Sequence, residues 1–191
     1  MDSTKKNYLK EAIKKKFLIL AGEQGFENVR LKNLTQEMKI SRTTFYCYYG
    51  NKDELLNEII SELVSDLKKT KCHLSVVKKL NSNSKSKVYN CDYKKIADYK
   101  EFTEYIDSNR YIIEPIVSDA YMKDIFVIKI RNALNDDDLL INKKTEEKKY
   151  AIYIISSLLI NTIKVIIESK SEEYKKYYLD KTFQMIDVLL S

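Results

Sequence analysis

The sequence predicts an all-α protein, and three observations carry the prediction. The 191 residues contain only three Gly and one Pro, so the chain is poor in the residues that punctuate strands and tight turns. It is rich in Lys, Glu, Leu and Ile, a composition that favours helix over most of its length. Apolar residues recur at spacings of three and four, the period of a helix buried along one face.

Taken in order, the first helix runs from about Lys5 to Gln24, with Leu9, Ala12, Ile13, Phe17, Leu20 and Ala21 on one stripe. Gly25 stands where a helix C-terminus calls for a left-handed residue, and Phe26 and Val29 turn back into the core. A short second helix, Leu31 to Met38, offers Leu34 and Met38 to that core. Ser41 caps a third, its hydroxyl taking a free N–H of the first turn, and Gly50 closes it. Asn51 caps a fourth, with Glu54 three residues on in the manner of a capping box. This fourth helix is long, near Lys52 to Lys71, with Leu55, Leu56, Ile59, Ile60, Leu63, Val64 and Leu67 on a broad stripe.

The stretch Ser41 to Lys52, S-R-T-T-F-Y-C-Y-Y-G-N-K, packs four aromatic rings, three hydroxylated residues and one Arg into nine positions. Its residue types favour strand by propensity, but its neighbours make it a helix between helices. A small helix with Arg, Thr and Tyr outward, following another small helix across a tight turn, is the arrangement that enters a DNA major groove. The charge agrees. Residues 1–52 hold 11 Lys and Arg against five Asp and Glu, while the remaining 139 residues carry 23 of each sign, so the whole net charge of +6 sits on the N-terminal segment. Such an excess is what phosphate neutralisation uses.

Beyond it, N-S-N-S-K-S-K at 81–87 reads as a loop between domains. Tyr93 to Asn109 is amphipathic, Pro115 is expected to kink or break that helix, and Asp119 to Leu134 is again helical before the polar run N-D-D-D at 135–138. Two helices finish the chain, about Lys144 to Ser169 and Ser171 to Leu190. The first is apolar on nearly all sides and approaches a membrane span in length. Its Ser, Asn and Thr interruptions fall near the middle, so it is read as buried on all sides. One face packs on its own domain and the other on a second subunit, with Ile155, Leu159, Thr162, Ile166, Phe183 and Ile186 as the interface of a four-helix homodimer.

Three scattered cysteines and one histidine make neither a disulfide framework nor a zinc set. Cys47 is read as an incidental small residue. With no Gly-rich phosphate loop and no paired nucleophile and base, the reading is non-enzymatic, without metal or cofactor. No signal peptide opens the chain, and the expected location is cytoplasmic.

Residues 17–56 resemble the N-terminal domain of the TetR/AcrR family of bacterial transcriptional regulators. The resemblance lies in the Gly25–Phe26 helix exit, Leu34, the Ile40–Ser41 pair, Thr44–Phe45–Tyr46, the aromatic Tyr49, and Lys52 followed by acids and Leu55–Leu56, all at the family's spacing without a gap. It implies a three-helix DNA-binding domain over 1–51, with a helix-turn-helix at about 30–49. A long fourth helix joins this to a helical ligand-binding and dimerisation domain over 52–191. It implies a homodimer on a near-palindromic duplex DNA operator, a repressor released by a small-molecule effector. The alternative is a helical coregulator that has lost operator specificity. By analogy the DNA contacts are Arg30, Lys32, Ser41, Arg42, Thr43, Thr44, Tyr46, Tyr48 and Lys52. Arg42 reads a base, the tyrosines meet phosphates, and Lys52 meets a phosphate at a helix start. Phe45 and Tyr49 face inward. Phe102, Tyr105, Tyr111 and Tyr121, with Tyr99 and Phe126, are the candidate effector lining. Two positions depart from the family. Met38–Lys39 replaces Ala-Gly in the turn, and Arg30 replaces a hydroxyl at the start of the second helix.

Overall fold

A computed structural model describes residues 3–69, 96–136 and 144–190. The run 81–87, Cys72, His73, Cys91, Asp137 and Asp138 lie outside the described residues, as does the side chain of Tyr99. Among the described residues the chain is helical throughout, with no strand. The helices are α1 (Ser3–Gln24), α2 (Leu31–Glu37), α3 (Arg42–Tyr46), α4 (Lys52–Lys69), α5 (Ile96–Ser108), α6 (Arg110–Ser118), α7 (Ala120–Asn135), α8 (Thr145–Glu168) and α9 (Glu172–Leu190), with a 3-10 turn at Phe26–Asn28. The chain divides into two compact units, Met1–Leu63 with Tyr111–Phe126, and Val64–Arg110 with Val127–Ser191. These units follow packing, whereas the sequence boundary at residue 51 followed the end of the helix-turn-helix.

In the first unit α1 buries Ile13, Phe17, Leu18, Leu20 and Ala21 against Phe26, Val29, Leu34, Phe45, Leu55, Leu56, Ile59 and Ile60. Gly25 leaves α1 at φ +80°, a backbone that side-chain-bearing residues avoid. The segment 111–126 completes this core from far along the chain. Asp119 Oδ1 accepts the N–H of Met122 at 3.0 Å and so caps α7, while its Oδ2 accepts the N–H of Phe26 at 2.9 Å. Tyr121 stacks on Phe26 with centroids 4.7 Å apart and donates its hydroxyl to Asp53 at 2.9 Å.

In the second unit α8 packs along α9. The polar interruptions of α8 are satisfied inside the core: Ser156 accepts Arg131 Nε at 3.1 Å, and Thr162 shares a 2.8 Å hydroxyl contact with Thr182. Lys175, buried on α9, pairs with Asp107 at 3.0 Å and Glu172 at 2.8 Å. By length and composition α8 could cross a membrane, but 56% of its most apolar window is buried inside the protein.

Two sequence expectations change. The break before α6 falls at Asn109, whose side chain and N–H both donate to the Tyr105 carbonyl at 2.9 and 3.0 Å, whereas Pro115 stands inside α6. And α8 is not apolar all round: Tyr150, Tyr153, Asn161, Lys164 and Glu168 are exposed. Ile155, Leu159, Thr162, Ile166 and Ile186, assigned to a subunit interface, are covered by their own chain, and Phe183 is half-buried. The physical reason is that α8 turns its most continuous apolar stripe onto its own unit.

Candidate nucleic-acid interface

Helix α2 begins at Arg30, whose extended backbone precedes the first turn without a side-chain cap bond, as expected from the missing hydroxyl. It ends in a Schellman motif. Lys39 N–H bonds Gln36 O at 3.1 Å, Ile40 N–H bonds Thr35 O at 3.0 Å, and Lys39 takes φ +54°. The turn therefore has the shape that glycine supports, with lysine in the left-handed position. Thr35 is buried and turns its hydroxyl back to Leu31 O at 3.0 Å and Lys32 O at 3.1 Å. An ion pair between Lys16 and Glu37 ties α2 to α1.

Ser41 caps α3: its Oγ accepts the N–H of Thr44 at 2.9 Å and meets Thr44 Oγ1 at 2.8 Å. Phe45 is fully buried and Tyr49 is 1% exposed, while Tyr46 is 55% exposed. Phe45 and Tyr49 face inward as expected, whereas Thr44, expected on the outer face, does not lie fully outward. Ser41, Arg42, Thr43 and Tyr46 are exposed, and Thr44 and Tyr48 are half-buried. After α3, Asn51 Oδ1 accepts the N–H of Glu54 at 2.8 Å, and Glu54 Oε2 accepts the N–H of Gly50 at 2.7 Å. A Cβ on Gly50 would stand 2.8 Å from that carboxylate oxygen, so a larger residue there would displace the flexible Glu54 side chain from its bond to the Gly50 N–H.

The cations separate into two groups. Lys10 and Lys14 are spent on carboxylates of the same unit: Lys10 on Glu58 at 2.8 Å, Lys14 on Glu11 at 2.9 Å, Glu58 at 2.9 Å and Glu62 at 2.6 Å. Lys14 is only 6% exposed. Burial opposes its charge, but the hydrogen bonds from Glu62, Glu11 and Glu58 prevail and hold its pKa above the ordinary value. Arg30, Lys32, Lys39 and Arg42 are exposed and carry no ion pair among the described residues. Lys6 and Lys15 on α1 are likewise exposed, so the exposed positive charge of this region is shared between α1 and the run of α2, its turn and α3.

Lys52 departs from its expected role. Its Nζ donates to Phe26 O at 3.0 Å, Glu27 O at 3.0 Å and Val29 O at 3.4 Å, and lies 4.4 Å from the Phe26 ring centroid. An ammonium has three donors, and these carbonyls take all of them. Lys52 locks the 3-10 turn to α4 rather than facing a phosphate. Sequence reading also missed the Tyr49 hydroxyl, which donates to Glu58 at 3.1 Å, and Asp119, for which Asp preceding a helix was the available signal.

The effector candidates are divided between the two units. Phe102 and Tyr105 belong to the second unit, Tyr111, Tyr121 and Phe126 to the first. Phe102 and Phe126 are fully buried, whereas Tyr111 and Tyr121 are exposed. Burial and the nearby charge of Asp66 push the Tyr105 phenol up to about 12.

Residues 18–59 match the family described as bacterial regulatory proteins, tetR family. An uncharacterised HTH-type transcriptional regulator of Bacillus subtilis (strain 168), YxbF, is 36% identical over 59 residues, which cover 30% of this chain and 16% of that protein's length. No solved structure matches the chain. The matched span contains α2, its left-handed turn, α3 and the α4 cap, so over residues 18–59 the chain is similar to the DNA-binding segment of bacterial regulatory proteins of the tetR family.

Proposed function

We propose that the protein is a sequence-specific DNA-binding transcriptional regulator that acts as a homodimer on a near-palindromic operator, represses transcription and is released by a small-molecule effector. The observation that carries the reading is the division of α3: two buried rings, Phe45 and Tyr49, hold a short helix that turns Arg42, Thr43 and Tyr46 outward. The unpaired Arg30, Lys32 and Lys39 beside it supply phosphate contacts, which set register, while Arg42 reads a base edge. Ser41 and Thr44 bond each other, which uses one of their two O–H donors and leaves the other to donate to a phosphate oxygen. Tyr48 joins them from a half-buried position. Lys52 is withdrawn from this set.

The dimer reading is supported by the exposed face of α8 and α9. Tyr153, Met185 and Val188 are exposed there and Ile154, Leu158 and Val165 half-buried. The apolar cavity of about 30 Å³ in the second unit, lined by Val64, Leu67, Phe102, Ile130, Leu134 and Leu159 among others, is far smaller than the roughly 300 Å³ or more of a small-molecule site, so the effector reading rests on the family resemblance. Release has a mechanical route in the first unit, where Asp119 and Tyr121 grip Phe26 next to the helix-turn-helix. The coregulator alternative rested on Lys39 and Arg30; with Lys39 forming the left-handed turn, only Arg30 remains behind it.

Gel-shift titration against DNA upstream of the protein's own gene tests the reading. A selective complex whose log affinity falls linearly with log salt is expected. If no nearby promoter gives such a complex, the proposal fails.

A further inference from the structure

A helix of five residues cannot hold its own direction, so the aim of α3 is set by what its anchors touch. Phe45 contributes apolar contact alone. Tyr49 contributes more, because a buried phenol needs a hydrogen-bond partner, and it finds Glu58 Oε1 on α4 at 3.1 Å. That carboxylate is itself pinned: Lys14 holds Oε1 at 2.9 Å and Lys10 holds Oε2 at 2.8 Å. Lys14 in turn bonds Glu11 on its own helix and Glu62 on α4. The Lys10 ammonium also lies 5.8 Å from the Tyr49 ring centroid. The hydroxyl therefore ends a chain of charged contacts that joins α1 to α4. An apolar ring slides over apolar neighbours at little cost, whereas a hydrogen bond to a fixed oxygen is directional and resists rotation. Phenylalanine would fill the same space without that restraint.

We propose that the bond from the Tyr49 hydroxyl to Glu58 is a positioning contact that sets the angle at which α3 presents Arg42, Thr43 and Tyr46, and so contributes to operator selectivity rather than to general affinity for DNA. The proposal rests on the DNA-reading function above. It places the determinant of selectivity outside the groove, on groups that touch no base.

The test uses the full chain and three measurements: dissociation constants for the operator and for an unrelated duplex of equal length, and the melting temperature. In Tyr49→Phe the operator complex is expected to weaken about tenfold, the unrelated duplex to stay within about twofold, and the ratio to fall accordingly. Glu58→Gln keeps an oxygen for the hydroxyl but loses the charge that pins it, so its ratio is expected to fall by less. If Arg42 is aimed through this contact, Arg42→Ala in the Tyr49→Phe background should cost less than in the parent. A Tyr49→Phe protein that melts lower but keeps the parent's ratio overturns the proposal and leaves DNA reading intact. A parent that cannot tell operator from unrelated duplex overturns the DNA-reading function itself. Should Glu58→Gln fail to fold, Tyr49→Phe decides alone.

Discussion

Lys39 holds a left-handed backbone at φ +54°, a conformation that costs an L-residue about 1 kcal/mol or more relative to glycine. Its side chain is exposed and unpaired, so Lys39→Gly is expected to stabilise the fold by about 1 kcal/mol in urea unfolding. The same change removes a cation from the proposed interface, so DNA affinity should fall while stability rises. Lys52 and Lys32 make the opposite pair. Lys52→Ala strips three carbonyls of a charged donor and should destabilise by on the order of 1–2 kcal/mol. Its binding should keep the parent's salt slope. Lys32→Ala should leave stability within about 0.5 kcal/mol and lower the slope by about one. A reversed result would return Lys52 to the phosphate contacts. Arg42→Ala should relax sequence choice by about 1–3 kcal/mol at one operator position, read by competition with base-substituted duplexes.

The contact between α1 and α4 carries a pH signature. Burial alone would raise the Glu58 pKa, but hydrogen bonds from Lys10 and Lys14 outweigh it and hold the carboxyl below its ordinary 4.5. A folded-state pKa below the unfolded one adds stability that is present above 4.5 and lost as pH falls through the folded value. Lys14 runs the other way. Its pKa is raised above 10.5, so its contribution is complete below 10.5 and disappears only in strong alkali. Both contributions are therefore present at neutral pH. Glu58→Gln should flatten the loss of stability below pH 4.5, measured as urea midpoint against pH, relative to the parent. An acid limb as steep as the parent's would mean that Glu58 is not held in this way.

At the scale of the whole molecule, the α8 residues first assigned to an interface are enclosed by their own chain, and the proposed dimer would use Tyr153, Ile154, Leu158 and Val165, which are exposed or half-buried. Leu158→Glu is expected to shift the protein from dimer to monomer in sedimentation and to weaken operator binding, since half-site pairing is lost. Its melting should stay cooperative, because Leu158 is only half-buried. A Leu158→Glu protein that remains dimeric would place the interface on another face.

Much of this architecture was legible in local pattern. The period of three and four placed the α1 and α4 stripes, Ser41 and Asn51 announced their caps, and the resemblance from Gly25 to Leu56 marked the helix-turn-helix. These are signals between residues close in sequence, where geometry follows from helix period and turn chemistry. What the tertiary structure decided is the partner of each long polar side chain. Lys14 and Lys52 look like solvated or phosphate-facing lysines in sequence; one is buried among three carboxylates and the other is spent on three carbonyls. Asp119 and Tyr121 join a core more than ninety residues away, at Phe26. A flexible side chain can reach many partners, and only the packed chain selects among them. For the same reason local pattern identified an apolar α8 but could not say which of its faces the chain itself would cover.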